Sequence, residues 1–215
     1  MKNLIIIGVG GFAREVCWHA QNAVGYGSDW TVKGFLDGDM KLNADAYQKL
    51  PADIPVLGDI DSYEIEADDV FTCAIGTPSV RKKLIEKILP RGAEFINVIN
   101  RRSSVLPTAK LGRGILIGLN SGVGDLVELG DFSVINNFTG LGHDVRAGEF
   151  TCMMSHVEIG GGTMIGNEVF IGSSVAIAPK SKIGDGALVG IGSVVIGEVP
   201  AGAKFLGNPA RNFNF

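Results

Sequence analysis

The sequence predicts an alternating strand–helix unit over residues 1–90, followed by a β-solenoid over residues 91–215. In the second part an apolar residue recurs at every sixth position from residue 105 to residue 195, and Gly follows it in eleven of sixteen cases. Neither a helix nor an alternating strand keeps a six-residue register over some ninety residues, whereas a β-solenoid does. In the first part, apolar strand patterns alternate with helical ones, which is typical of an α/β domain.

Composition agrees with a folded chain of one or two domains. The 215 residues are 46% apolar, include 31 glycines and carry a net charge of −4. Many glycines without a low-complexity tract indicate turns in a folded chain. The charge gives no support for nucleic-acid binding, and no apolar run approaches the ~20 residues that a membrane-spanning helix needs. Cys17, Cys73 and Cys152 lack a metal-type spacing, so we expect reduced thiols in a cytoplasmic protein.

The first unit begins with an apolar run, residues 4–9, of the kind found in a strand buried on both faces. A Gly-rich turn follows at once, so this run is expected to be a strand and not a signal peptide. Strands are predicted at residues 4–9, 31–36, 55–57, 70–75 and 94–99, and helices at residues 14–24 and 80–89. This order predicts a small Rossmann-like unit.

Two turns of this unit are candidate ligand sites. Gly10, Gly11 and Phe12 lie between the first strand and its helix, where the backbone can approach an anion at the helix N-terminus. A turn that only packs helix on strand is the alternative. Asp37 and Gly38 follow the second strand, where an acid can accept hydrogen bonds from a ribose or a base. The alternative for Asp37 is an acidic surface turn.

A third turn, at Gly76, ends the strand at residues 70–75 and supports the same ligand-binding interpretation. The predicted helix that follows is rich in basic residues. These are Arg81, Lys82, Lys83 and Lys87, and we expect them on a solvated helix face.

The six-residue row sets the geometry of the solenoid. Its members are Val105, Leu111, Ile117, Val123, Leu129, Ile135, Leu141, Ala147, Met153, Ile159, Ile165, Ile171, Ile177, Ile183, Val189 and Val195. Three hexads make one triangular coil, so residues eighteen apart stack at one strand spacing, ~4.8 Å. The row residues are expected to fill the prism over about five coils, and the Gly after each is expected to take the corner with a positive φ. Residues 203–215 are expected to cap the open end or reach a neighbouring subunit.

His143, two positions after Leu141, is a candidate catalytic base at a coil corner. Asp144 follows it, Asn136 precedes it by seven residues, and Gly161, eighteen residues later, should stack over it. Imidazole has a suitable pKa for a base near neutrality, and a carboxylate orients it. The backbone N–H of Gly161 can stabilise charge that develops on a carbonyl oxygen. A corner histidine without a catalytic role is the alternative.

The hexads, together with residues 192–195, 199–203 and 207–211, resemble the hexapeptide-repeat acyltransferases, a left-handed parallel β-helix family that works as trimers. With residues 8–13, 35–37 and 74–76 added, the whole chain is similar to one branch of that family. This branch contains sialic-acid O-acetyltransferases and UDP-4-amino-sugar N-acetyltransferases.

The resemblance implies an acetyl-CoA-dependent acetyltransferase whose domain 1–90 binds the acceptor and whose domain 91–215 carries the chemistry. The acceptor is expected to be a UDP-4-amino-sugar or, as the alternative, a sialic acid. Gly10, Gly11, Phe12, Asp37 and Gly38 would then hold its nucleotide. Acetyl-CoA is the implied co-substrate, no metal is required, and the implied assembly is a cytoplasmic homotrimer with active sites between subunits.

The resemblance also assigns the solenoid residues. The branch's Asn-x6-His-(Glu/Asp) segment matches Asn136, His143 and Asp144, and its glycine beside the acetyl group matches Gly161. Cys152 stands where the branch usually has a second histidine near acetyl-CoA, so it is expected to line that site. The alternative is that its thiol acts as an acyl nucleophile. Further candidate residues of the acetyl-CoA site are Ser173 and Ile191.

Two other classes of protein compete with this interpretation. A zinc enzyme of the γ-carbonic-anhydrase type needs three converging histidines, whereas the solenoid offers His143, His156 and at best Cys152. For His156 a structural or solvent-facing role is favoured. An NAD(P)-dependent oxidoreductase would use the turn at residues 8–13, but the α/β unit is short for a complete dinucleotide fold.

Overall fold

A computed structural model of the chain describes residues 1–38 and 44–213. It divides into two compact units, Met1–Asn100 and Arg101–Phe215. The division lies beyond the predicted boundary at residue 90, because the segment around Phe95 pairs with the sheet of the first unit. The Phe71 N–H donates to the Glu94 carbonyl at 2.8 Å, and the Ile96 N–H donates to the Phe71 carbonyl at 3.2 Å.

The first unit is the predicted α/β domain. Its elements are β1 (Lys2–Ile7), α1 (Gly11–Gln21), β2 (Trp30–Asp37), α2 (Ala44–Tyr47), β3 (Val56–Asp59), β4 (Asp69–Cys73), α3 (Pro78–Ile88), a 3-10 turn (Leu89–Arg91) and β5 (Val98–Ile99). The parallel sheet has the order β3-β2-β1-β4. Leu4 and Ile7 at the two ends of the buried run in β1 have no exposed surface. Because the strand order reverses at β1, the carboxyl ends of β1 and β4 flank a crevice of the kind that binds ligands in such sheets.

Helices are few and short in this chain. Both α1 and α3 have 11 residues. Among the residues with described positions, none of the helices is long and apolar enough to cross a membrane.

The second unit is the predicted solenoid, and its strands form three parallel sheets. The first sheet contains β6 (Ser104–Val105), β9 (Gly122–Val123), β12 (Gly140–Leu141), β15 (Glu158–Ile159), β18 (Ala176–Ile177) and β21 (Val194–Val195). The second contains β7 (Lys110–Leu111), β10 (Glu128–Leu129), β13 (Arg146–Ala147), β16 (Met164–Ile165), β19 (Lys182–Ile183) and β22 (Glu198–Val199). The third contains β8 (Leu116–Ile117), β11 (Val134–Ile135), β14 (Cys152–Met153), β17 (Phe170–Ile171), β20 (Leu188–Val189), β23 (Lys204–Gly207) and β24 (Ala210–Asn212).

The register of these sheets follows the predicted spacing of eighteen residues, as in the pair Leu141 and Ile159. Fourteen row residues, from Ile117 onwards, are buried, and Val105 and Leu111 in the first coil are half-buried. The residues four positions after the row also point inward. Six of the seven Ser and Thr residues at this position donate their hydroxyl to a carbonyl, as Thr151 does to Gly166 at 2.9 Å. In the seventh, Ser193, the hydroxyl accepts from the Gly207 N–H at 3.1 Å. The prism therefore contains no uncompensated hydroxyl at this position.

The glycines after the row have a different role from the one predicted. Their φ angles lie outside the left-handed region, and the positive φ falls three positions after the row residue, at ten non-glycine residues. These ten are Asn120, Leu126, Phe132, Phe138, Asp144, Phe150, His156, Glu168, Ser174 and Lys180. Glycine is required at these positions because the next coil leaves no space for a Cβ atom. A Cβ on Gly130 would lie 2.6 Å from the backbone nitrogen of Glu149, and all eleven would meet an atom of the next coil below 3.0 Å.

The chain ends in a small hairpin. Strand β23 pairs with β20 and continues the third sheet, and β24 returns antiparallel to β23. This hairpin corresponds to part of the predicted cap, residues 203–215. Phe215 lies outside the described residues.

We predict that Gly130→Ala lowers the free energy of unfolding by about 1–3 kcal/mol, because the added methyl group forces two coils apart. Gly122 is the matched control. It has an ordinary φ, and a Cβ on it would meet nothing within 4 Å. The change Gly122→Ala should alter stability by less than about 1 kcal/mol. Urea unfolding followed by circular dichroism checks both, and equal losses would contradict the spatial explanation.

Candidate active site

The corner after β12 holds the candidate base. His143 is exposed, with 73% of its side chain accessible, and its Nδ1 lies 2.7 Å from Oδ2 of Asp144. A carboxylate only accepts hydrogen bonds, so the hydrogen of the neutral ring lies on Nδ1 and the lone pair on Nε2. Asp144 has a φ of 59° and is the turn-forming residue of this corner. The same residue therefore shapes the turn and orients the imidazole.

Gly161 lies against the face of this imidazole, as the spacing of eighteen residues predicts. A Cβ at Gly161 would stand 2.7 Å from Nε2 and 2.8 Å from Cε1 of His143. The next residue, Gly162, donates its N–H to the His143 carbonyl at 2.8 Å. Over the described ranges, the N–H of Gly161 donates to no protein group. A ligand beside Nε2 would thus meet a free backbone donor.

Asn136, the third predicted member of this group, lies elsewhere in its coil. It is 3% exposed, its Oδ1 accepts from the Asn137 N–H at 2.7 Å, and its N–H donates to the Met153 carbonyl at 2.9 Å. Within residues 1–38 and 44–213, no hydrogen bond joins it to His143. The structure brings together His143, Asp144 and Gly161, but not Asn136.

Cys152 is fully buried, and its Sγ lies 3.9 Å from Sδ of Met154. His156, four residues later, is exposed at another corner with a φ of 62°. Its ring stacks on Phe138 with centroids 5.0 Å apart and an angle of 5°. In the described part of the chain the ring of His156 stacks on Phe138 and not on His143. Cys152 is buried within its coil, whereas His143 is exposed at a corner. The geometry therefore leaves both outside the group around Nε2.

Ser173 and Ile191 stack one coil apart at the corner that follows the third sheet. The Gly192 N–H donates to the Ser173 carbonyl at 2.9 Å, and Ile191 is 70% exposed.

A cleft of about 380 Å³ borders Asp144 on the side of the second sheet. Its lining includes Glu128, which lies 3.1 Å from Lys110 Nζ and 3.7 Å from Arg146 Nε. The hydrogen bond from Lys110, with the charges of Lys110 and Arg146, lowers the pKa of Glu128. Sequence reasoning missed this charged column. Its signal was present, because Lys110, Glu128 and Arg146 are spaced by eighteen residues.

A second cavity, of about 340 Å³, lies in the first unit at the carboxyl ends of β1, β2 and β4. It is lined by Gly8, Val9, Gly10, Asp37, Gly38, Ile75, Val80 and Leu84. The predicted residues Gly10, Asp37 and Gly38 therefore converge, while Gly11 and Phe12 form the start of α1 beside them.

Asp37 is the buried acid of this cavity. It is 2% exposed, and the hydroxyl of Tyr47 donates to its Oδ2 at 2.8 Å. Sequence reasoning missed Tyr47, which lies on the four-residue helix α2 between the predicted strands at residues 31–36 and 55–57. Asp39, which follows Gly38 in the sequence, lies outside the described residues.

The expectation of a solvated face on the helix α3 is wrong for Arg81. This residue is 1% exposed, and its Nη1 donates to the carbonyls of Ile75 at 2.8 Å and Gly76 at 3.2 Å. Arg81 stands at helical spacing from Ile85 and Ile88, both buried, so it belongs to the apolar face of the helix. Two carbonyl oxygens of the loop after β4 therefore accept from its guanidinium.

No group of three His, Cys, Asp or Glu side chains placed to hold a metal ion occurs in the described part of the chain.

Comparison with known proteins adds a family match for the first unit. Residues 3–88 match the model of the PglD N-terminal domain family. Over 82 residues the chain is 29% identical to an uncharacterized protein of Acanthamoeba polyphaga mimivirus, a match that spans 38% of this chain and only 16% of that protein.

Solved structures match the whole chain. WeeI from Acinetobacter baumannii is 25% identical, with a TM-score of 0.86 and 99% and 100% of the two chains covered. The acetyltransferase domain of PglB from Neisseria gonorrhoeae is 23% identical, with a TM-score of 0.84 and 99% and 100% covered. A GDP-perosamine N-acetyl transferase variant from Caulobacter crescentus is 25% identical, with a TM-score of 0.75 and 100% and 98% covered. The predicted fold, an α/β domain followed by a left-handed β-helix, is confirmed.

We predict that Gly161→Ala displaces the imidazole of His143. The ring must move by about 0.7 Å, since the added Cβ would lie 2.7 Å from Nε2 and ordinary contacts begin at 3.4 Å. A crystal structure of the variant measures the displacement, with Gly122→Ala as the control in which the ring stays in place. An unmoved ring in Gly161→Ala would contradict the described stacking.

Proposed function

We propose that this chain, a hexapeptide-repeat protein with the fold of sugar acetyltransferases, moves the acetyl group of acetyl-CoA to the amine of a nucleotide-linked sugar. The observation that carries the proposal is the corner at which Nε2 of His143 lies against the backbone of Gly161 while Nδ1 is bound to Asp144. Two similar structures support the substrate classes. One contains acetyl coenzyme A, and the other contains CoA and GDP-perosamine.

In the proposed reaction, the acceptor amine attacks the carbonyl carbon of the thioester directly. Nε2 of His143 takes the proton that the nitrogen loses as the new N–C bond forms, and Asp144 stabilises the resulting imidazolium. The developing oxyanion accepts a hydrogen bond from the Gly161 N–H. The C–S bond then breaks, and the sulfur takes the proton from Nε2, so the products are the acetamide and free CoA. No covalent enzyme intermediate is required.

Apart from Asn136, the remaining predicted residues keep their proposed roles. Cys152, Ser173 and Ile191, with Gly161, are assigned to the acetyl-CoA site, and Asn136 is assigned to support of the catalytic coil through its backbone contacts. The nucleotide of the acceptor is assigned to the cavity of the first unit. There Gly10, Gly11, Phe12, Asp37 and Gly38 surround the carboxyl ends of β1 and β2.

We further propose that the protein acts as a cytoplasmic homotrimer with active sites between subunits. Its three cysteines are free thiols, which agrees with a reducing compartment. Light scattering coupled to gel filtration measures the assembly, and a monomer that is fully active would contradict it.

A thiol-release assay with acetyl-CoA tests the function. The panel contains UDP- and GDP-linked 4-amino-sugars, the same sugars with a hydroxyl in place of the amine, and sialic acids. CoA release with an amino-sugar alone supports the proposal. Release with sialic acid alone identifies an O-acetyltransferase and overturns it.

We predict that His143→Ala lowers kcat by about 10² or more, because general-base catalysis contributes about this factor. Acetyl-CoA binding, measured by calorimetry, should be nearly unchanged. His156→Ala is the matched control, since it removes an exposed corner imidazole outside the group around Nε2. Full activity of the His143 variant would remove this residue from the mechanism.

A further inference from the structure

The cavity of the first unit, to which the acceptor's nucleotide is assigned, is lined by loops that pack directly on each other. A Cβ on Gly8, after β1, would lie 3.1 Å from the Ala74 carbonyl oxygen and 3.2 Å from Cδ1 of Ile75, after β4. Gly8 and Ile75 both line the cavity. A shift of the loop after β4 would therefore change the shape of the cavity.

Arg81 forms hydrogen bonds to this loop. Its Nη1 donates to two successive carbonyls, those of Ile75 and Gly76, and its own backbone N–H donates to the Thr77 carbonyl at 2.9 Å. Hydrogen bonds from a guanidinium are stronger and more directional than those between neutral groups. Two of them on adjacent peptide units fix the orientation of both units.

The orientation of these two peptide units also determines the direction of their N–H groups. In a trans peptide the N–H and the carbonyl point in opposite directions, so the N–H groups of Gly76 and Thr77 face away from Arg81. Neither N–H donates to a protein group in the ranges that the structure describes. A Cβ on Gly76 would meet nothing within 4 Å, so there is open space beside its Cα. Both donors are free to meet a ligand.

Building on the proposed function, we infer that Arg81 is a positioning residue for the nucleotide of the acceptor. It fixes the loop of residues 75–77 so that the cavity wall and the N–H groups of Gly76 and Thr77 are presented in the binding orientation. Arg81 is buried in the first unit, whereas the residues assigned to acetyl-CoA and the corner of His143 belong to the second unit. Its effect should therefore fall on nucleotide affinity alone.

The variant Arg81→Met removes the guanidinium donors and keeps the aliphatic bulk. We expect about a tenfold rise in KM for the acceptor and in the Kd for UDP or GDP, measured by calorimetry, as befits the loss of charge-assisted hydrogen bonds. The kcat and the KM for acetyl-CoA should stay within about twofold of wild type. Arg81→Lys keeps one charged donor and should restore part of the lost affinity. If Arg81→Met does not fold, the Kd of Arg81→Lys for UDP or GDP provides the test.

The control is Ile88→Ala, on the same face of α3, which lowers the Tm without touching the loop and should leave the nucleotide Kd unchanged. An unchanged Kd in both Arg81 variants overturns the inference. A fall in kcat together with similar rises in both KM values also overturns it, because such a pattern indicates general damage to the enzyme. Wild-type protein that binds neither nucleotide overturns it as well. If wild type binds a nucleotide but releases no CoA with any acceptor, the proposed function fails while the Kd values still test Arg81.

Discussion

The close approach of successive coils is the constraint on which the rest of the solenoid depends. Each coil donates backbone hydrogen bonds to the next at about one strand spacing, and the prism is filled by row residues that leave no room on the corner side. Glycine after the row is a result of this approach, since a Cβ at Gly130 or its equivalents would overlap the following coil. Packing between coils, not backbone strain, thus explains the most frequent residue of the repeat.

The candidate active site arises from the same constraint. His143 and Asp144 occupy the two corner positions that follow a row residue and its glycine, and the second of these must take a positive φ. Asp adopts this conformation more readily than most residues. A corner that the fold requires therefore presents an imidazole and its carboxylate side by side. The stacking of coils then brings Gly161 against the ring, where only glycine leaves space for Nε2.

Much of this arrangement was readable from the sequence, because the register of eighteen residues is exact in position even where residue types vary. The alternation of strands and helices predicted the α/β unit with Gly10, Asp37 and Gly38 at its strand ends, and the register predicted the solenoid and the stacking of Gly161 on His143. It did not distinguish two reasons for glycine, since lack of space and positive φ select the same residue. Arg81 was missed for a related reason. Its place on the apolar face of α3 is visible at helical spacing, but the carbonyls that accept from its guanidinium come from a loop whose course is set by tertiary packing.

The three-sided repeat also limits how the chain can change in length. An insertion of one hexad would turn every later face by a third of a revolution, so Gly161 would no longer follow His143 at the same corner. A complete coil of eighteen residues restores every face and adds only one more layer to the stack. Length variation in such a protein is therefore quantised, with whole coils gained or lost at the ends of the prism and the single-coil spacing between His143 and Gly161 kept intact.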